Sequence, residues 1–352
     1  MDPVTHILSG AVAGRATVWA RSGSRLTLNQ RMVYGALAGE FPDVDFLASL
    51  AGTLTYLNVH RGITHSFVMM PVWALLLSLL FAAISRFKLK VRDFYVLCGV
   101  CLSVHILGDL ITPYGTKIFY PLSDHSAALH TTFVIDPIIT GILLLGLIGS
   151  WYLGTRARAA ITAARFSVLV LVGYIGAQGV LHHQALGLAH EYRMAQGLAD
   201  VRAYALPQPL SPFHWKLLLV GEDSYWRTRV NLAGSAVREA APGAGALARM
   251  WASYQPAALA QWVSVPRFGH SDRLEPTVRA AWFSPPLHDF RRFARFPALY
   301  RVGGTDGEFC AYFVDLRFVM VARSPPFRFG VCRDRHQGEW VLRQDPSPGR
   351  TG

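Results

Sequence analysis

Histidine and aspartate residues that could bind a metal lie in three short segments of the N-terminal half. The first segment is His60-Arg61-Gly62-Ile63-Thr64-His65-Ser66, directly before an apolar stretch. Two imidazoles five residues apart do not share a helical face. They can converge if His60 lies on a loop and His65 on the first helical turn, with Gly62 allowing the bend. The segment therefore predicts a pair of histidine ligands.

The second segment contains His105 and Asp109, which are four residues apart in an apolar stretch. At this spacing two side chains lie on one face of a helix. An ionisable pair inside a membrane helix indicates a functional site. The alternative is that His105 and Asp109 only pair with each other across one helical turn.

The third segment contains Asp43 and Asp45. On an extended or turning chain both carboxylates can point one way, whereas on a helix only one of them would be a ligand. The alternative is an acidic helix end in water. Two further residues are weaker candidates, since His6 alone is more often a buried histidine and Asp136, before Pro137, is more often a helix cap.

The composition indicates a membrane protein. Of the 352 residues 52% are hydrophobic and only 16% are charged, against about 25% charged in soluble domains. Residues 1–186 contain eight acidic residues and residues 187–352 contain fourteen. The net charge of +12 does not predict nucleic-acid binding, because the basic residues form no block or stripe.

Four apolar stretches are long enough to span a membrane as helices, at roughly 20 residues each. They are residues 67–87, 94–111, 134–153 and 166–186. Residues 4–20 and 32–50 are weaker and predict membrane-associated helices that need not cross. In these two segments Gly10, Gly14, Gly35 and Gly39 recur at four-residue spacing, which permits close helix contact.

Basic residues predict the orientation of these helices. Lys and Arg concentrate in the loops at residues 21–31, 86–92 and 156–165, which the positive-inside rule places in the cytoplasm. The N-terminus, residues 51–66, residues 112–133 and the chain after residue 187 then face outward. All the candidate ligands fall near this outer surface. Because uncompensated charges are costly there, a shared cation would explain them together.

The ligand types indicate which cation would bind. Mixed imidazole and carboxylate ligands suit zinc first, with manganese or iron as alternatives, and the number of ligands allows one or two ions. The absence of cysteine from the set argues against a structural zinc site.

Residues 187–352 predict a separate domain. A helix at residues 190–203 is followed by strand-like runs at residues 215–220, 225–232, 308–321 and 327–332. Cys310 and Cys332 could form a disulfide if this domain is extracytoplasmic. The predicted fold is mainly α, a multi-pass transmembrane helical bundle (residues 1–186) followed by a small α+β extramembrane domain (residues 187–352).

The motifs together resemble a known family, the YdjM-like membrane-bound metal-dependent hydrolases. The likeness covers about residues 1–150 and is carried by Thr5-His6, Pro42-Asp43-Val44-Asp45, the His60–Ser66 segment, and His105 and Asp109 followed by Thr112-Pro113-Tyr114-Gly115. The resemblance implies a protein of the bacterial inner membrane, in contact with lipid, that acts as a hydrolase. It implies no substrate.

A mechanism follows as a hypothesis. The predicted metal ligands are His6, Asp45, His60, His65, His105 and Asp109, and Asp43 could replace Asp45. A water activated by the metal would attack a phosphoester or similar bond of a lipid-linked or membrane-proximal substrate. Asp43 or Asp136 would take the proton, while Arg61 would hold an anionic oxygen or pair with a carboxylate.

Two other classes of function remain open. A transporter would need polar residues along the whole membrane depth, and residues 134–153 and 166–186 have almost none. A non-catalytic scaffold would use the metal only for stability and would present residues 187–352 to a partner.

Overall fold

The chain divides into two compact units. The computed structural model describes residues 1–17, 25–154, 156–304, 307–334 and 338–345. The units are Met1–Val180 and Leu181–Gly352. The last residues of the predicted segment 4–20, and Arg21 of the first basic loop, lie outside the described residues.

Helices build the first unit. They are α1 (Pro3–Ala16), α2 (Leu28–Glu40), α3 (Thr53–Val59), α4 (Met70–Ile84), α5 (Val91–Leu110), α6 (Pro137–Tyr152) and α7 (Ala157–Ala195), which continues into the second unit. Two 3₁₀ segments, Phe41–Ala51 and Ile63–His65, connect them. Side-chain caps start several helices, such as the Thr27–Gln30 capping box of α2, which satisfies backbone N–H groups that have no partner within the helix.

Glycine residues bring α1 and α2 into close contact. A Cβ atom at Gly10 would overlap the carbonyl oxygen of Gly35, and one at Gly14 would overlap the carbonyl oxygen of Arg31. At Gly39 it would lie 2.9 Å from Cα of Gly10. The prediction that these glycines permit close helix contact is therefore confirmed. The contact matters for the site because α1 carries His6 and α2 leads into Asp43.

Two described helices are long and apolar enough to cross a membrane, α5 and α7. A third crossing is possible if Thr53–His65 and Met70–Ile84, which are bent by 81°, count as one span. The predicted span at 67–87 is therefore a shorter helix, α4, after a break, and the span at 134–153 is the 16-residue α6. The break between the two parts is at residues 66–69, directly after the 3₁₀ turn Ile63–His65.

Besides the end of α7, the described residues of the second unit form two sheets and three short α-helices. The first sheet has the order β1 (Arg202–Pro207), β2 (His214–Val220), β3 (Ser224–Asn231), β4 (Gln255–Pro256), with β5 (Val263–Pro266) also paired to β3. The second sheet has the order β6 (Pro297–Gly303), β7 (Glu308–Asp315), β8 (Phe329–Asp334), β9 (Val341–Gln344). The helices are α8 (Ala246–Ala252), α9 (Glu275–Phe283) and α10 (His288–Phe293).

The predicted helix at 190–203 is correct only for residues 190–195, which form the end of α7 and not a separate helix. Helix α7 runs without a break to Ala195, and β1 already begins at Arg202. The cause is tertiary, since Ala185 and Ala189 on α7 pack with Trp215 of the first sheet. The helix therefore continues because the sheet buries its apolar side.

A disulfide joins the middle strands of the second sheet. Cys310 on β7 lies directly opposite Cys332 on β8, with the Cα atoms 4.0 Å apart. The pairing that the sequence allowed is therefore present.

Candidate metal centre

Four side chains from three elements bring their ligand atoms together. Asp43 lies in the 3₁₀ segment after α2, His65 ends the 3₁₀ turn before α4, and His105 and Asp109 lie one turn apart on α5. One ligand atom from each lies within 4.8 Å of all the others. His65, His105 and Asp109 have no exposed side-chain surface, whereas Asp43 is 16% exposed. The group is therefore enclosed and opens on the Asp43 side.

The distances within this four-ligand group fit a single cation. Nε2 of His65 lies 3.0 Å from Nε2 of His105, 3.3 Å from Oδ1 of Asp43 and 3.2 Å from Oδ2 of Asp109. Nε2 of His105 is 3.7 Å from each of the same two oxygens. Four ligands placed tetrahedrally at 2.0–2.1 Å from a zinc ion are about 3.3 Å apart. The side chains therefore stand at the separations that a bound ion requires.

Hydrogen bonds orient both imidazoles with Nε2 toward the centre. Nδ1 of His105 lies 2.6 Å from the carbonyl oxygen of Gly39, which only accepts, so Nδ1 is the donor. Thr64 donates its hydroxyl proton to Asp45 at 3.1 Å and accepts from Nδ1 of His65 at 3.0 Å. Such outer contacts are typical of histidine metal ligands. In neutral rings both Nε2 atoms then carry lone pairs, which repel each other unless a positive charge lies between them.

The two oxygens of Asp109 have different surroundings. Oδ1 is paired with the Met1 amino group, with Nη2 of Arg61 at 2.8 Å and with Nε2 of His6 at 3.2 Å. Oδ2 is buried and has no hydrogen bond. A buried carboxylate oxygen without a partner costs free energy. It faces the four-ligand group, where a cation would satisfy it.

Asp45 holds the His60–Ser66 segment together. Its Oδ1 lies 2.8 Å from Nδ1 of His60, and its Oδ2 accepts from the backbone N–H of Arg61 at 3.1 Å and from Thr64. Asp45, His60 and His65 form a second group with ligand atoms within 4.8 Å. Since both Asp45 oxygens already accept hydrogen bonds, this carboxylate serves to position the histidines.

Arg61 is buried, and its guanidinium group contacts other side chains of the protein. Besides Asp109, its Nη1 donates to Oγ1 of Thr112 at 2.9 Å, and the guanidinium lies 4.4 Å from the ring centre of Tyr114. The backbone of Arg61 is left-handed, with φ of 61°, a strained conformation for a residue with a side chain. Of the two roles considered for Arg61, the structure brings it to a carboxylate.

His6 and Asp136 lie outside both groups of ligand atoms. The ring of His6 stacks on that of His105 with centres 3.6 Å apart, so His6 supports the site beside its contact to Asp109. Asp136 caps α6, where Oδ1 accepts from the N–H groups of Ile138 and Ile139, and Oδ2 accepts from the hydroxyl of Tyr174 at 2.8 Å. The structure thus gives Asp136 the cap role that an Asp-Pro pair usually has.

One acid that lies three residues before Asp43, Glu40, has a shifted pKa. Burial, followed by the negative charge of Asp43, raises the pKa of Glu40 to about 7. Oε2 of Glu40 is buried and has no hydrogen bond. Sequence reasoning did not select Glu40, although its position three residues before Asp43 was a usable signal.

Comparison with known proteins identifies a family for the first part of the chain. A model of the YdjM inner membrane protein family matches residues 1–185, which include all four members of the four-ligand group. The chain is 31% identical over 181 residues to the "Uncharacterized protein YfhP" of Bacillus subtilis (strain 168). That match covers 49% of this chain and 52% of the relative, so the chain spans about half the length of that protein. No solved structure matches.

Proposed function

Because the chain belongs to the YdjM inner membrane protein family, we propose that it is a membrane-bound metal-dependent hydrolase. The observation that carries this proposal is the four-ligand group, in which two imidazole lone pairs and the unpartnered Oδ2 of Asp109 meet Oδ1 of Asp43. Oδ1 of Asp43 lies 3.3 Å from Nε2 of His65 and 3.7 Å from Nε2 of His105. Both oxygens of Asp45 instead accept hydrogen bonds from the His60–Ser66 segment. We therefore assign Asp43 to the ligands and Asp45 to the supporting contacts, a choice that the sequence alone left open.

One divalent ion fits this set of residues. Two nitrogens and two carboxylate oxygens without sulfur are ligands for zinc, manganese or iron. Such an ion supplies Lewis acidity, which polarises a phosphoryl oxygen and makes water a nucleophile at neutral pH. The protein contributes the fixed Nε2 lone pairs, the Arg61 guanidinium that holds Asp109 in place, and an enclosed site from which bulk water is excluded. A single ion is favoured because the oxygens of Asp45 in the second group already accept three hydrogen bonds.

The proposed location is the outer side of a bacterial inner membrane. Asp109 lies near the C-terminal end of α5, and the positively charged segment before α5 predicts that its other end faces the cytoplasm. The Cys310–Cys332 disulfide supports an oxidising location for the second unit. A site at the membrane surface favours a lipid-linked or membrane-proximal phosphoester as substrate. Partial exposure of Asp43 marks the side on which such a substrate would enter.

Glu40 is the residue we propose as proton acceptor, in place of Asp43 and Asp136. A carboxylate works as a base only when ionised, so turnover should fall as the pH drops through its pKa. That pKa is about 7, and a divalent ion near Asp43 would lower it, so the acidic limb should lie at or below pH 7. Glu40→Gln should reduce turnover about 100-fold or more, remove this limb and leave the bound metal unchanged.

The control for Glu40 is Glu191→Gln, since Glu191 is exposed on α7. Rates from pH 5 to 9 and metal content by elemental analysis would be measured for both variants. A wild-type rate and pH profile in Glu40→Gln would exclude Glu40 as the base.

Hydrolysis itself is tested with the full chain purified in detergent. The protein would be stripped with a chelator and reloaded separately with zinc, manganese or iron. Initial rates would be measured on bis(p-nitrophenyl) phosphate and on a phospholipid in mixed micelles. We expect turnover only after metal is restored, and none with His105→Ala. The exposed loop residue His125 provides the control, since His125→Ala should keep the wild-type rate.

The same experiment separates the hydrolase from a metal-stabilised scaffold. Fully buried His65, His105 and Asp109 would suit a structural ion as well, whereas the exposed edge of Asp43 and the unpartnered Glu40 favour catalysis. Metal bound in stoichiometric amount, with thermal stabilisation but no turnover of either phosphoester, would overturn the hydrolase and favour the scaffold.

A further inference from the structure

The second unit contains a basic cavity that the proposed hydrolase does not use. It has a volume of about 550 Å³, within the range of small-molecule sites. Its polar lining comprises Lys216, Arg227, Arg229, Glu239, Ser253 and Gln255 among other residues. The lining of the cavity therefore contains three cationic side chains and one acidic side chain.

Strand geometry places the three cationic groups on one side of the first sheet. Side chains alternate along a strand, so Arg227 and Arg229 emerge on the same face of β3. Lys216 on β2 lies directly opposite Arg229 in the antiparallel register, and such cross-strand neighbours share a face. Like charges in this position repel each other. The arrangement is therefore unfavourable unless an anion lies among them.

Lys216 is buried, and two backbone carbonyl groups of a neighbouring segment fix the position of its ammonium group. Its side chain is 1% exposed, and Nζ donates to the carbonyl oxygens of Leu316 at 2.8 Å and Val319 at 2.6 Å. These two hydrogen bonds leave one of the three N–H donors of the ammonium group free to bind a ligand. Burial, followed by the charges of Arg229 and Arg227, lowers the pKa of Lys216 well below its usual value. An anion in the cavity would reverse this effect.

The two arginines have no acidic partner among the described residues. Neither Arg227 nor Arg229 forms an ion pair within the parts of the chain that the structure describes, and Nε of Arg229 is buried without a hydrogen bond. Burial lowers the pKa of both guanidinium groups. Buried cations are usually paired. Two half-buried arginines that have no ion-pair partner, beside a buried lysine, indicate that the cavity binds an anionic ligand.

We propose that this cavity binds the phosphate group of a small molecule or of a lipid headgroup. Two guanidinium forks and one ammonium donor match the several oxygens and the double charge of a phosphate. Leu259 and Val263 on the cavity wall offer contact for the less polar part of the ligand. The proposal concerns a ligand site in the second unit and stands whether or not the first unit is a hydrolase.

The test measures binding of pyrophosphate to the full chain in detergent by titration calorimetry. Arg227→Gln/Arg229→Gln should weaken binding about tenfold or more, because it removes the positive charge and the paired N–H donors of both guanidinium groups. Arg273→Gln/Arg292→Gln removes the same charge from exposed positions and should leave the affinity within about twofold. Metal would first be removed with a chelator, so that the four-ligand group does not contribute to pyrophosphate binding. Arg227→Lys/Arg229→Lys keeps the charge without the guanidinium fork, so its affinity should lie between that of the wild-type protein and that of the paired glutamine variant.

Competition identifies the source of the phosphate. Displacement of pyrophosphate by phosphatidylglycerol in mixed micelles, but not by phosphatidylcholine, would support a lipid headgroup. Failure of both lipids to displace it would support a soluble phosphate compound. The proposal is overturned if pyrophosphate does not bind, if the paired glutamine variant binds as tightly as the exposed-site control, or if malonate binds more tightly than pyrophosphate.

Discussion

The His65→Ala variant should bind zinc at least about 100-fold more weakly than the wild-type protein. Loss of a single outer contact to a metal ligand typically costs 10- to 100-fold in affinity, and His65 is itself a proposed ligand at the centre of the group. Its Nε2 lies within 3.3 Å of an atom of each of the other three side chains. Elemental analysis and competition with a fluorescent zinc chelator would measure the loss.

Two further variants test whether the loss of zinc affinity is specific to the four-ligand group. Asp45→Asn keeps the size of the side chain but weakens its contact to His60 and Thr64, so it should lower zinc affinity about 10- to 100-fold. His125→Ala should have no effect, because His125 is exposed in a loop. Equal zinc affinity in His65→Ala and His125→Ala would contradict the four-ligand group. Thermal unfolding without metal would show that each variant is folded.

Gly10→Val should destabilise the first unit by about 3 kcal/mol or more, since overpacking already costs 1–3 kcal/mol where side chains can adjust. Here the added atoms meet backbone, the carbonyl oxygen of Gly35, which cannot rotate away. Helices α1 and α2 must then separate. Because His6 and Asp43 depend on these helices, zinc binding should fall with stability. Thermal unfolding in detergent would measure the effect.

Gly99 on α5 provides the matched control for this second result. A Cβ atom at Gly99 would have open space within 4 Å among the described residues. Gly99→Ala should leave the unfolding temperature unchanged or raise it slightly, since alanine favours a helix by about 1 kcal/mol over glycine. An unchanged unfolding temperature in Gly10→Val would show that the two helices do not depend on close backbone contact.

Local sequence patterns were enough to predict the types of the candidate ligands and the proximity of two of them. Histidine and aspartate at i and i+4 on an apolar helix share a face wherever that helix packs, which is why His105 and Asp109 could be paired from sequence alone. The glycine spacing of α1 and α2 was an equally local signal. Helix ends were less predictable, because α7 extends to Ala195 only through its packing on a sheet that lies later in the chain.

The tertiary structure determines which of these side chains contact one another. Asp43 and Asp45 are equivalent in the sequence, and only the path of the 3₁₀ segment turns Asp43 toward His105 and leaves Asp45 to the His60–Ser66 segment. Likewise Arg61 meets Asp109 across 48 positions. Side-chain type and spacing determine what chemistry is available, because they act over one helical turn. Which oxygen or nitrogen remains without a partner depends on contacts between distant segments, and folding alone creates those.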